Sequence, residues 1–119
     1  MRGKLAGATL FWGLLTGLLL GPLTGLADDY PGRAIAHSVG RGNCLACHAM
    51  PGDPQAITSA NIGPPLVQIR ERFPDRERLR SQIFDPTRYN PDTVMPPYGR
   101  NKVLTAEEIE LLLDYLYSL

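Results

Sequence analysis

At 119 residues the chain has room for one domain. Its 12 basic and 12 acidic residues cancel, and no basic stripe of the kind that tracks a phosphate backbone is present, which excludes a nucleic-acid binder. Eleven prolines and twelve glycines forecast much loop for so short a chain.

The first stretch reads as a targeting segment. Arg2 and Lys4 make a basic start, Leu5 to Leu20 is uncharged and largely apolar, and Gly21-Pro22 breaks the run. Gly25-Leu26-Ala27 then sets small residues around a cleavage point, the pattern of a secretory signal peptide. A retained membrane anchor is the alternative, but the run is short of the ~20 apolar residues that span a bilayer. Residues 1–27 are therefore expected to leave as a signal peptide. Residues 28–119 remain as one exported, periplasmic domain with no membrane segment in its mature form. Ninety-two residues bury only a modest core, so a large apolar cofactor at the centre would supply much of the missing buried surface.

Asp28 to Asn43 reads as a first helix, with Asp29 able to cap it and Pro31 where a missing N–H costs nothing. Ile35 and Val39 fall four apart on its apolar face, Gly40 and Gly42 loosen the chain after it, and His37 is expected at the surface. Cys44-Leu45-Ala46-Cys47-His48 follows. Met50 to Asn61 carries Pro51, Gly52, Asp53 and Pro54 and is expected to be loop. After Gly63-Pro64-Pro65, the residues Leu66, Ile69 and Phe73 recur at helical spacing until Pro74. Asp75 can cap the next helix, which turns Leu79 and Ile83 inward and stops before Pro86. Arg88 to Asn101, with Pro91, Pro96, Pro97 and Gly99, must be extended loop. Thr105-Ala106-Glu107-Glu108 is a capping box, and Ile109, Leu112, Leu113 and Leu116 behind it mark the clearest amphipathic helix. With no strand runs, the fold expected is all-α.

The five residues Cys44 to His48 form the Cys-x-x-Cys-His run of covalent c-type haem attachment. The two thiols are spaced to form thioethers to the two vinyl groups of one haem, and His48 then faces the iron. A disulfide between Cys44 and Cys47 would close a very small loop and add little stability. Zinc would need four donors, and adjacent Cys47 and His48 reach one tetrahedral ion together only with difficulty. The opposite face of the iron needs a second ligand. Met1 leaves with the signal peptide, and Met50 is tethered to the same side as His48. Met95, stiffened by Pro96 and Pro97, is the expected distal ligand, and a thioether there raises the potential. Filled on both faces, the iron would move electrons rather than bind substrate. A ligating imidazole commonly donates its other N–H to a carbonyl, for which Pro64 or Pro65 is suited. Tyr89, Tyr98 and Arg100 are candidates for the haem propionates. Arg70, Arg72, Arg76, Arg78 and Arg80 alternate with acids. Asp75–Arg78 and Glu77–Arg80 are expected as i, i+3 pairs on a solvated surface, with partner steering the rival reading.

These motifs, in this order, resemble the class I cytochrome c family over the whole of residues 28–119. Gly42-Asn43-Cys44-Leu45-Ala46-Cys47-His48, Ile62-Gly63-Pro64-Pro65-Leu66 and Asn90-Pro91-Asp92-Thr93-Val94-Met95-Pro96-Pro97 are similar to the monohaem SoxX family of the sulfur-oxidation system. The resemblance implies one covalently bound haem c, with Cys44 and Cys47 holding it, His48 and Met95 on the iron and Pro64 supporting His48. It also implies a heterodimer with a SoxA-like cytochrome subunit, a carrier protein and a soluble cytochrome c as electron acceptor. On this resemblance the heterodimer would act as an L-cysteine S-thiosulfotransferase on a cysteine of the carrier protein, with no catalytic residue on this chain. The alternatives are a free-standing electron carrier and an electron-accepting subunit of another periplasmic dehydrogenase.

Overall fold

A computed structural model describes residues 30–119, and the expected signal peptide lies outside them. Among the described residues there are four α-helices, α1 (Pro31–His37), α2 (Ile69–Arg72), α3 (Arg76–Phe84) and α4 (Ala106–Leu116), and no strand. Single 3₁₀ turns at Cys44–Ala46 and Pro86–Arg88 interrupt the loops. The all-α expectation is met, and most of the chain between helices is loop, as its prolines and glycines require.

The two best-marked helices start where their caps lie. Asp75 accepts the Glu77 N–H at 2.9 Å to open α3, whose Leu79 and Ile83 are buried. Thr105 and Glu108 close a reciprocal capping box on α4. Each side chain there satisfies a backbone N–H that the first turn leaves without a partner. Ile109, Leu112, Leu113 and Leu116 are all buried, as the periodicity predicts, and Tyr115 joins them with no exposed surface.

The first helix differs from expectation. It spans only Pro31–His37, and Val39 stands beyond it, 82 % exposed. Gly32 and Ala36 are its buried pair. The reason is close approach: α1 packs on α4, and a Cβ added at Gly32 would fall 2.0 Å from the Leu111 carbonyl oxygen. Small residues, rather than the larger apolar ones, therefore face α4. The chain then folds back at once, with Gly42 N–H donating to Ile35 O at 3.0 Å and Asn43 N–H to Ser38 O at 3.0 Å. Similarly, the helix expected around Leu66 is reduced to Ile69–Arg72. Gln68 before it is left-handed at φ 51°, which keeps Leu66 outside the helical turn.

The arginine-rich stretch is more structural than its sequence suggests. Arg76 and Arg80 both reach across to Glu110 on α4, and Arg76 also pairs with Asp114 at 2.8 Å. The Arg80 guanidinium first, then Arg76, holds the Glu110 carboxyl down at about 2. The Glu77–Arg80 pair forms as expected. The Asp75–Arg78 pair does not: Asp75 is engaged as the cap, and the Arg78 guanidinium lies over the Tyr89 ring, 3.2 Å from its centroid.

Candidate functional site

The short turn Cys44–Ala46 presents the motif. Asn43, left-handed at φ 48°, turns the chain into it, and His48 N–H closes the turn on Cys44 O at 2.9 Å. An asparagine tolerates this backbone better than most residues with a side chain. Cys44, Cys47 and His48 all face one cavity of about 510 Å³, within the ~300–1,000 Å³ of typical cofactor pockets. Met95 faces the same cavity, although it lies far along the chain. The floor is apolar: Ile69 and Phe73 come from α2 and its end, Leu79 and Ile83 from α3, Leu112 and Leu116 from α4.

The segment after the motif is pinned against it. Gly63 N–H donates to Cys47 O at 2.8 Å, and Leu66 N–H donates to Ala49 O at 2.8 Å. This sets Pro64 O 2.7 Å from His48 Nδ1, the partner expected from the Gly-Pro-Pro turn. With Nδ1 donating to that carbonyl, Nε2 carries the free lone pair. Gly63 passes so close that an added Cβ would sit 2.3 Å from the ring. His48 is thus oriented by a carbonyl and flanked by backbone that admits no side chain.

The thiols are free rather than paired, and burial pushes the Cys44 thiol up to about 11. Among the described residues no three His, Cys, Asp or Glu side chains are grouped to hold a metal ion. His37 lies elsewhere, with Nε2 3.1 Å from Asp53 Oδ2 and 3.4 Å from Tyr115 Oη, half-buried rather than on the open surface. Met50 is 2 % exposed in the core, where Tyr115 O–H meets its sulfur at 3.4 Å, and it does not line the cavity. Of the two methionines in the described residues, Met95 is the one at the cavity.

Among the candidate propionate partners, Tyr98 lines the cavity and donates its O–H to Gly42 O at 2.6 Å. Burial pushes that phenol up to about 12, so it remains a donor at ordinary pH. Tyr89 and Arg100 do not line the cavity; Arg100 instead binds Asp85 Oδ2 and Thr87 Oγ1, each at 3.0 Å. Asn43 and Asn90, noted in the sequence only as parts of longer motifs, bring polar groups to the wall, and so does Gln82, which carries no motif signal of its own.

The residues present fit a covalently held haem. Two thiols and an imidazole with a free Nε2 stand on one side, a thioether lies in the same cavity, and apolar side chains make the floor.

No family model matches the sequence. The chain is similar to an uncharacterized lipoprotein of Aquifex aeolicus (strain VF5), 36% identical over 78 residues. That stretch is 66% of this chain and 37% of the relative, so the chain spans well under half of the relative's length. No helix among the described residues is long and apolar enough to cross a membrane.

Proposed function

We propose that this chain is a monohaem c-type cytochrome that relays electrons within a periplasmic thiosulfate-oxidising complex. In that complex thiosulfate is conjugated to a cysteine of a carrier protein, the L-cysteine S-thiosulfotransferase reaction. The observation that carries the proposal is the convergence of Cys44, Cys47, His48 and Met95 on one apolar cavity. When bound, the haem supplies a one-electron redox couple. Cys44 and Cys47 would hold it covalently, and His48, oriented through Nδ1 by Pro64 O, would offer Nε2 as an iron ligand. Met95 would supply the second iron ligand from the same cavity, and its soft sulfur would favour the reduced state.

Two protein ligands would leave no coordination position for a substrate, which favours electron transfer over substrate chemistry on this chain. Both cysteines are committed to the cofactor and the chain has no third, so joining thiosulfate to a thiol falls to a SoxA-like partner. That step forms one S–S bond in place of the carrier thiol's S–H, releasing one proton to solvent and two electrons, which this chain would pass singly to a soluble cytochrome c. Ile62 and Val94 line the cavity yet are 66 % and 79 % exposed, so apolar surface flanks its mouth. Such a patch suits a docking partner. The relative's description as a lipoprotein is in keeping with export.

The test is affinity purification of the chain from its host grown on thiosulfate, followed by intact-mass and absorption measurements. One covalent haem, a second cytochrome in fixed ratio and thiosulfate-dependent reduction are expected. A chain carrying haem but recovered without a partner would return it to the free-standing electron carriers, and a chain without covalent haem would refute the cytochrome reading.

A further inference from the structure

The loop that carries Met95 is fixed at its downstream end. Tyr98 O accepts from both Val103 N–H at 2.9 Å and Leu104 N–H at 3.1 Å, while Gly99 and Arg100 N–H groups donate to Phe84 O at 3.1 and 3.0 Å. The backbone at Tyr98 is thereby tied to the end of α3 and the start of α4. Upstream, Met95 N–H donates to Thr93 Oγ1 at 3.1 Å. From this anchored position the Tyr98 side chain reaches Gly42 O, 56 residues away in sequence, at 2.6 Å.

Gly42 is itself tightly packed. Its N–H is held by Ile35 O, and an added Cβ would fall 2.7 Å from that same oxygen. It stands two residues before Cys44. The Tyr98–Gly42 bond therefore joins the wall that carries the Cys44-to-His48 motif to the wall that carries Met95.

We infer that Tyr98 is a positioning residue whose O–H, donated to the Gly42 carbonyl, sets the span between the motif and Met95 so that His48 and Met95 address opposite faces of one group. The inference rests on the ligation proposed above. A side chain that merely filled space would do so equally well as phenylalanine. A strap would not, because only its O–H crosses to the other wall.

The experiment compares the ferric holoprotein with Tyr98→Phe, with Tyr89→Phe as a tyrosine control outside the cavity. Imidazole is titrated as a competitor for the Met95 position, and melting is followed by circular dichroism. The expected result is that Tyr98→Phe keeps the low-spin spectrum without imidazole but binds imidazole about 3–10-fold more tightly, the equilibrium worth of one hydrogen bond. Tyr89→Phe should match the wild type. Wild-type imidazole affinity in Tyr98→Phe, with or without a change in melting, overturns the inference. So does a Tyr98→Phe chain that fails to load haem while Tyr89→Phe loads it, since the residue would then serve folding. A wild-type protein whose spectrum is unchanged by Met95→Ala defeats the ligation itself, an outcome separate from an unresponsive Tyr98→Phe.

Discussion

Replacing Asp53 by asparagine tests a buried cluster whose members do not line the cavity. The Asp53 side chain is 1 % exposed. It accepts from Tyr115 O–H at 2.5 Å and Gln55 N–H at 2.9 Å, and it pairs with Arg33 Nε at 3.2 Å and His37 Nε2 at 3.1 Å. These contacts tie the loop after the motif to α1 and α4 at once. Burial alone would raise the carboxyl, but the hydrogen bonds from Tyr115 and Gln55, with the charges of Arg33 and His37, outweigh it and hold it below its ordinary 3.8. The Asp53→Asn side chain would keep an acceptor for Tyr115 and lose the charge facing Arg33. Hydrogen bonds to a charged group are worth ~1.5–3 kcal/mol, so a loss of about 2–3 kcal/mol is expected. At ~4–8 °C per kcal/mol for a domain of this size, the melting midpoint should fall by roughly 10–20 °C at neutral pH. The sign with pH follows from the lowered folded value: the contribution is complete above 3.8 and is lost as pH falls through the folded value. The gap between wild type and Asp53→Asn should therefore close in acid. Neither Asp53 nor Tyr115 lines the cavity, so the visible spectrum should not change. A midpoint within about 2 °C of wild type at neutral pH, or a gap that persists unchanged in acid, would refute this account.

Met95→Ala should abolish the low-spin spectrum and lower the reduction potential, read by absorption and redox titration, because the thioether is the proposed second ligand. Gly63→Ala should displace the His48 ring, since the new methyl would stand 2.3 Å from it; altered axial-ligand signals in the ferric spectrum check this, and an unperturbed spectrum counts against the packing described. Glu110→Gln should cost under about 1 kcal/mol by denaturant unfolding, because the pair it forms with Arg80 and Arg76 is partly exposed. Its carboxyl is held at about 2, so the wild-type contribution should persist at neutral pH and fade as acid approaches that value.

What the sequence made legible was local. Caps and periodicity located α3 and α4, because a cap is completed within one helical turn: Asp75 binds Glu77, and Thr105 binds Glu108. The meeting of Cys44, Cys47, His48, Pro64 and Met95 at one cavity has a related cause. The motif spacing and the prolines around Met95 and Pro64 are short-range marks of stiff, aimed backbone. What escaped depended on pairs far apart in the chain. Gly32 is conspicuous only beside Leu111, and Asp53 reads as a turn residue until Tyr115, His37 and Arg33 surround it. His37 was expected at the surface for that reason. Arg76 and Arg80 looked like solvent charges because Glu110, which they hold, belongs to another helix.

The core and the candidate site share residues. Ile69, Leu79, Ile83, Leu112 and Leu116 are the inward faces of α2, α3 and α4, and each also lines the cavity. A group bound there would make contacts of the kind that hold the helices together, so its binding free energy adds to the stability of the fold. The α1–α4 contact and the Asp53 cluster lie outside this arrangement; Gly32, Asp53 and Tyr115 do not line the cavity. Two differently stabilised halves follow. The side built on Gly32 and Asp53 carries its own contacts, whereas the side facing Met95 gains most from what it binds. Hydrogen exchange on holoprotein and haem-free chain should therefore differ chiefly in α3 and residues 93–98, with α1 changing least. Equal loss of protection throughout would mean that the two halves are one cooperative unit.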